Sequence, residues 1–293
     1  MLKVLGVAAL LGLLSGAAFA KEEVVSFEVG GKKVVGTLNT PDGVKSPPVV
    51  LLLHGFTGKR DELGVPSLDN EGIFHHAAKA WADKGLASLR IDFMGSGDSE
   101  GSYEDTTLQI QIADALGALD FLSQRPDVDF KKVSIVGWSM GGAVAASTAG
   151  RSKYPLSSVS LWAPANNMAS ALALLISSDY LKQGLATGDK PAEGKLPWGA
   201  TVKLKGPFFQ SIFEVDPVAE IRAYHGPLLV AVGTNDTIVY PQPASGQAFL
   251  TYHDGPKELW VRPMDHSFNS FQNHETVDAL IEKTGEFIKA NLK

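Results

Sequence analysis

Cysteine is absent from all 293 residues. That absence excludes disulfides, thiol nucleophiles and thiolate metal sites together. Basic residues are also in deficit: 26 Lys and Arg stand against 32 Asp and Glu, a net charge of −6. A balance of this sign argues against nucleic acid or an anionic membrane as partner. No apolar run reaches the roughly 20 residues a membrane span needs. There are no internal repeats, and no His/Asp/Glu cluster has convincing ligand spacing, so neither a metal nor another cofactor is expected. Oligomeric state leaves no signature in the chain.

What is present begins at the N-terminus. Lys3 precedes an unbroken small and apolar run from Val4 to Leu14; Ser15 and Gly16 break it, and Ala18-Phe19-Ala20 offers a small-x-small cleavage site. This layout predicts a secretory signal over residues 1–20, export to periplasm or medium, and no stable membrane insertion after cleavage. Residues 21–293 are then expected to form one domain.

Strand-like segments near Val24–Val29 and Lys33–Asn39 meet at Gly30-Gly31 as a hairpin. An alternation follows. Pro48–Leu53 is wholly apolar, as expected of a strand covered on both faces. Phe74–Lys84 reads as a helix and Leu86–Phe93 as a strand. Leu108, Ile112, Leu116, Leu119 and Leu122 recur at helical spacing within Thr107–Ser123. Lys132–Val136 is a strand, Gly141–Gly150 a helix of small residues, and Val159–Trp162 a strand. After Leu228–Val232 come a helix at Gln242–Thr251, a strand at Glu258–Val261 and a closing helix at Glu275–Asn291. The pattern predicts an α/β fold: a mostly parallel, doubly wound sheet. One interval departs from it. Residues 164–222 hold a leucine-rich helical piece, Ala169–Leu181, and then Gly- and Pro-punctuated sequence, too apolar for disorder. They are expected to form an inserted cap over the sheet edge.

Open parallel sheets bind ligands beyond the carboxyl ends of their strands. Ser139 stands there, in Gly137-Trp138-Ser139-Met140-Gly141, between a strand and a helix. That is the context of a nucleophile elbow. A serine hydroxyl needs a base, and the base an orienting carboxylate. Asp236 follows Leu228–Val232, and His266 follows Glu258–Val261, which completes the chain order Ser, Asp, His. Oxyanion donors are expected at the backbone N–H of Met140 and of Phe56, in "HGFTG" after Pro48–Leu53. Asp265 is assigned to a turn, Asp216 to a helix start, and His274 to the surface. His253 precedes its strand, and the neighbours His75 and His76 cannot share a helix face. "DFMGSGDSEG" at 92–101 spaces Gly95, Gly97 and Gly101 one residue too widely for a dinucleotide fingerprint, so it reads as a loop beside the active-site mouth.

"HGF", "DFMGSGDSEG", "GWSMGG", "GTND" and "DHSF", in this order, resemble the α/β-hydrolase superfamily over essentially the whole of 21–293. "LLLHGFTGKRDE" and "FFQSIFEVDP" resemble its feruloyl/cinnamoyl esterase group. The resemblance implies a serine hydrolase acting on a small-molecule ester, with hydroxycinnamate esters as the implied substrates. It departs from that group at the elbow, where Trp138 and Met140 replace the His and Gln many members carry. Trp138, Trp198, Phe208, Phe209 and Phe213 are the candidate residues for an apolar acyl pocket. A short-chain carboxylesterase or lipase, a serine peptidase, a thioesterase and a non-catalytic binding protein of the same shape remain alternatives.

Overall fold

The computed structural model describes residues 20–292; the segment read as a secretory signal lies outside them, apart from Ala20. The chain opens with β1 (Lys21–Val29) and β2 (Lys32–Thr40), paired antiparallel about Gly30-Gly31. There follow β3 (Pro48–Leu53), the two-residue strands β4 (Gly64–Val65) and β5 (Glu71–Gly72), α1 (Ile73–Ala82), β6 (Ala87–Asp92) and α2 (Leu108–Ser123). Next come β7 (Asp129–Trp138), α3 (Met140–Arg151) and β8 (Ser158–Trp162). The 164–222 stretch forms α4 (Met168–Leu175), α5 (Ser178–Thr187), a hairpin of β9 (Ala192–Lys195) and β10 (Thr201–Leu204), α6 (Gly206–Glu214) and α7 (Pro217–Glu220). The chain closes with β11 (Leu228–Gly233), α8 (Ala244–Tyr252), β12 (Lys257–Arg262) and α9 (Glu275–Ala290).

Eight strands form one sheet in the order β1-β2-β6-β3-β7-β8-β11-β12. The pairs β1/β2 and β2/β6 are antiparallel; every pair from β6 to β12 is parallel. The alternation of side chains along a strand explains why β3 is apolar throughout. Val49, Leu51 and Leu53 enter the core shared with α2 and α3, while Val50 and Leu52 enter the core shared with α1 and α9. Both faces are therefore covered, and the sheet is doubly wound as its sequence pattern predicts.

The expected helix Ala169–Leu181 is in fact two. Ser177 adopts an extended conformation and its side chain accepts from the Tyr180 N–H, capping α5 and ending the run of α4. The β9/β10 hairpin escaped the pattern because its strands are only four residues long. The helix expected at Gln242 begins at Ala244, since the ring of Pro243 disfavours helical backbone at the residue before it.

Residues 164–222 do not stand apart from the sheet. Ser211 of α6 accepts from the Leu108 N–H at the start of α2 at 3.1 Å, and the Lys205 N–H donates to the Glu104 carbonyl at 3.0 Å. The Phe208 ring lies 5.9 Å from Phe56, which places α6 over the loop that follows β3.

Candidate active site

Ser139 ends β7 and starts α3 with φ +55° and ψ −116°, a conformation that costs a non-glycine residue energy. The surrounding packing enforces it. A Cβ on Gly137 would collide with the Gly141 carbonyl, and one on Gly141 with the Leu53 carbonyl, so the turn closes only with glycine at both. The Ser139 N–H donates to the Trp162 carbonyl, and its own carbonyl accepts from Gly142, Ala143 and Ala165. The hydroxyl is thereby left standing beyond the carboxyl end of the sheet, half-buried rather than sealed.

The structure brings the three predicted residues together. His266 Nε2 lies 2.9 Å from Ser139 Oγ, and His266 Nδ1 lies 2.7 Å from Asp236 Oδ2. Asp236 is buried, and its other oxygen accepts from the Ile238 and Val239 N–H groups at 2.8 and 2.9 Å. Those bonds fix the carboxylate, which calls for a proton on Nδ1 and leaves Nε2 free to accept from the hydroxyl. Asp265 accepts from the Ser267 and Asn269 N–H groups, shaping the turn beyond His266.

Facing Ser139 across the sheet end is the loop after β3. A Cβ on Gly55 would lie 3.5 Å from the Ser139 Cβ, so this backbone and Ser139 meet closely. Among the described residues, neither the Phe56 nor the Met140 N–H has a hydrogen-bond partner within the chain. The loop itself is heavily gripped. His54 is fully buried; its Nδ1–H donates to the Gly55 carbonyl at 2.9 Å, and its Nε2 accepts from the Phe93 N–H at 3.2 Å. Burial pushes the imidazole down to about 4, so it stays neutral. The Thr57 N–H donates to the Tyr103 hydroxyl at 2.9 Å. Asp92 accepts from the Arg60 N–H at 2.7 Å and pairs with its guanidinium, which also reaches Asp98 at 2.7 Å. The 92–101 loop thus braces the 54–62 loop, and Gly97 leaves room for the Asp92 carboxylate.

His54, Arg60, Glu62, Asp92 and Tyr103 went unremarked in the sequence. The only signal was the "HG" pair and the crowding of "DFMGSGDSEG" with turn residues; no spacing rule links Arg60 to Asp92.

The pocket candidates lie in different surroundings. Trp138 packs in the core against α1 and α9, and its Nε1–H donates to the His266 carbonyl. It is buried there and holds the main chain of His266. Trp198, at the hairpin turn, and Phe213, on α6, are 61% and 59% exposed. Phe208 and Phe209 are fully buried, and Phe208 meets the Phe56 ring. Of the remaining candidates, Asp216 caps α7 as expected. His253 is buried beside Tyr224. His274 shares a hydrogen bond with Ser67. His75 and His76, adjacent on α1, both reach Glu71, which sits just before the helix rather than on it. Among the described residues, no group of three His, Asp or Glu side chains is arranged to hold a metal ion.

A family model described as serine aminopeptidase, S33, matches residues 48–186. An uncharacterized 31.7 kDa protein of Escherichia coli, from the traX-finO intergenic region, is 26% identical over 106 residues, 36% of this chain. The match spans about a third, 34%, of that relative's length. Est1E from Butyrivibrio proteoclasticus, solved with ferulic acid bound, superposes with a TM-score of 0.71 at 21% identity, covering 91% of this chain and 98% of its own. The α/β hydrolase GrgF from Penicillium sp. sh18 gives 0.73 at 17%, covering 93% and 99%. At these identities the likeness is one of fold.

Proposed function

Taking this chain as an α/β-hydrolase by fold, we propose that it is a serine hydrolase that cleaves carboxylic esters through an acyl-enzyme. The observation that carries the reading is the single imidazole of His266, within hydrogen-bond reach of both the Ser139 hydroxyl and the Asp236 carboxylate. In the first step Ser139 Oγ attacks the ester carbonyl as His266 Nε2 takes its proton. The tetrahedral oxyanion accepts from the Phe56 and Met140 N–H groups. As the intermediate collapses, His266 returns the proton to the departing alcohol. Water, deprotonated by the same nitrogen, then hydrolyses the acyl-enzyme.

Hydroxycinnamate esters are the proposed substrates. The fold likeness to a protein holding ferulic acid and the apolar group Phe56, Phe208 and Tyr103 support that choice. The match to the serine aminopeptidase model supports a peptidase as the second reading. We further propose export, on the pattern of residues 3–20. Among the described residues, no helix is long and apolar enough to cross a membrane.

The test is labelling of residues 21–293 by a fluorophosphonate, followed by turnover of methyl ferulate, aliphatic esters and aminoacyl amides. Labelling of the wild type but not of Ser139→Ala, with methyl ferulate preferred, is expected. Equal labelling of both chains removes the nucleophile. Faster cleavage of amides favours the peptidase.

A further inference from the structure

The proposed reaction needs the Phe56 N–H aimed at the developing oxyanion, and something must aim it. In a planar trans peptide the Gly55 carbonyl and the Phe56 N–H point in opposite directions, so whatever grips one directs the other. The carbonyl is gripped by His54 Nδ1–H at 2.9 Å and by the Gly58 N–H at 3.1 Å. The preceding peptide is gripped as well: the Gly55 N–H donates to Glu62 Oε2 at 2.6 Å.

Glu62 is an unusual choice of acceptor. It sits at φ +59°, a left-handed conformation that glutamate seldom adopts, which turns its side chain back under the loop. The fit beneath the loop is close, because a Cβ on Gly58 would come within 2.6 Å of Glu62 Oε1. The neighbouring guanidinium of Arg60 is engaged by Asp92 and Asp98. Burial therefore dominates, and it pushes the carboxyl up to about 8 although the Gly55 and Leu63 N–H groups pull the other way. Taking a carboxyl out of water costs stability unless its oxygens are hydrogen-bonded, and here the Gly55 N–H supplies such a bond.

We propose that Glu62 is a positioning residue of the oxyanion loop. Its oxygen holds the Gly55 N–H, which fixes the 54–56 backbone so that the Phe56 N–H faces the oxyanion above Ser139. The proposal rests on the serine hydrolase reading. Glu62 acts without touching substrate, so its contribution falls on the transition state and appears in kcat rather than KM.

Two variants separate acceptor from bulk. Glu62→Gln keeps an acceptor oxygen, whereas Glu62→Leu fills similar space and offers none. Turnover of a p-nitrophenyl ester is measured per active site titrated with fluorophosphonate. Inhibition by a trifluoromethyl ketone, whose adduct with Ser139 carries an oxyanion, is measured beside it. For Glu62→Leu, kcat is expected to fall about tenfold or more and ketone affinity to fall in step, with KM within about threefold of wild type. Glu62→Gln is expected to stay within about threefold of wild type on every measure. Thermal melts accompany both, and Glu62→Ala replaces the Leu variant if that chain does not fold. An active wild type with an unimpaired acceptor-less variant overturns the role, as does a Gln variant as defective as Leu, or a loss confined to KM. A wild type that neither turns over nor labels overturns the hydrolase reading itself.

Discussion

The indole N–H of Trp138 donates to the backbone carbonyl of His266 across 3.1 Å, although 128 residues separate them in the chain. The residue before Ser139 thus holds the main chain of His266. The two rings also pack, with centroids 5.5 Å apart, and Phe268 closes the group at 6.1 Å from Trp138. The elbow and the histidine loop are joined twice: at the Oγ–Nε2 contact, and behind it through the indole.

Trp138→Phe keeps most of the ring and removes the donor, leaving a buried carbonyl unpaired. About 1 kcal/mol of stability is expected to be lost, with a fall in kcat and little change in KM. Denaturant melts and steady-state kinetics check this. Wild-type kcat in the variant would mean that the turn built on Asp265 holds His266 unaided.

Ser139 occupies a backbone conformation that costs a non-glycine residue energy. Ser139→Gly is expected to melt at a higher temperature, with a gain of about 1 kcal/mol, while hydrolysis is abolished. A lower melting temperature would show that the hydrogen bond to His266 outweighs the backbone strain.

His54 and Glu62 set opposite dependences of stability on pH. His54 is held down to about 4, so between pH 6.5 and 4 the unfolded chain takes up a proton there that the native chain refuses. Stability is therefore expected to fall as pH drops through that window, by about 3 kcal/mol in all from this residue. Glu62 is held up to about 8, so between pH 4.5 and 8 the native chain keeps a proton that the unfolded chain releases. Its contribution falls as pH rises through that range. Urea melts at pH 5 and 8 are expected to show Glu62→Gln gaining on wild type at the higher pH. A constant difference between the two chains would contradict the assignment. For His54, an NMR titration showing the ring protonated at pH 5 would do the same.

Much of this was legible in short stretches. An apolar hexapeptide such as Pro48–Leu53 announces a strand covered on both faces, and the spacing from Leu108 to Leu122 announces a helix. The elbow reads as strand, turn and helix, and Asp236 and His266 read as polar residues just past strands. Ser177, by contrast, divides α4 from α5 through one hydroxyl, a cap that weak periodicity in a leucine-rich run concealed. The position of Trp138 beside Ser139 says nothing about which face of the sheet its ring enters, and packing decided that.

The order of elements, the placement of three reactive side chains at strand ends and the glycines of the turn were determined by sequence alone, since each depends on neighbours a few residues away. The distances among Ser139, Asp236 and His266, the grip of Asp92 and Tyr103 on the 54–62 loop, and the burial of Trp138 were decided by tertiary structure. They join residues up to 128 positions apart, and only the register of parallel strands and the packing on both sheet faces bring such residues within reach of one another.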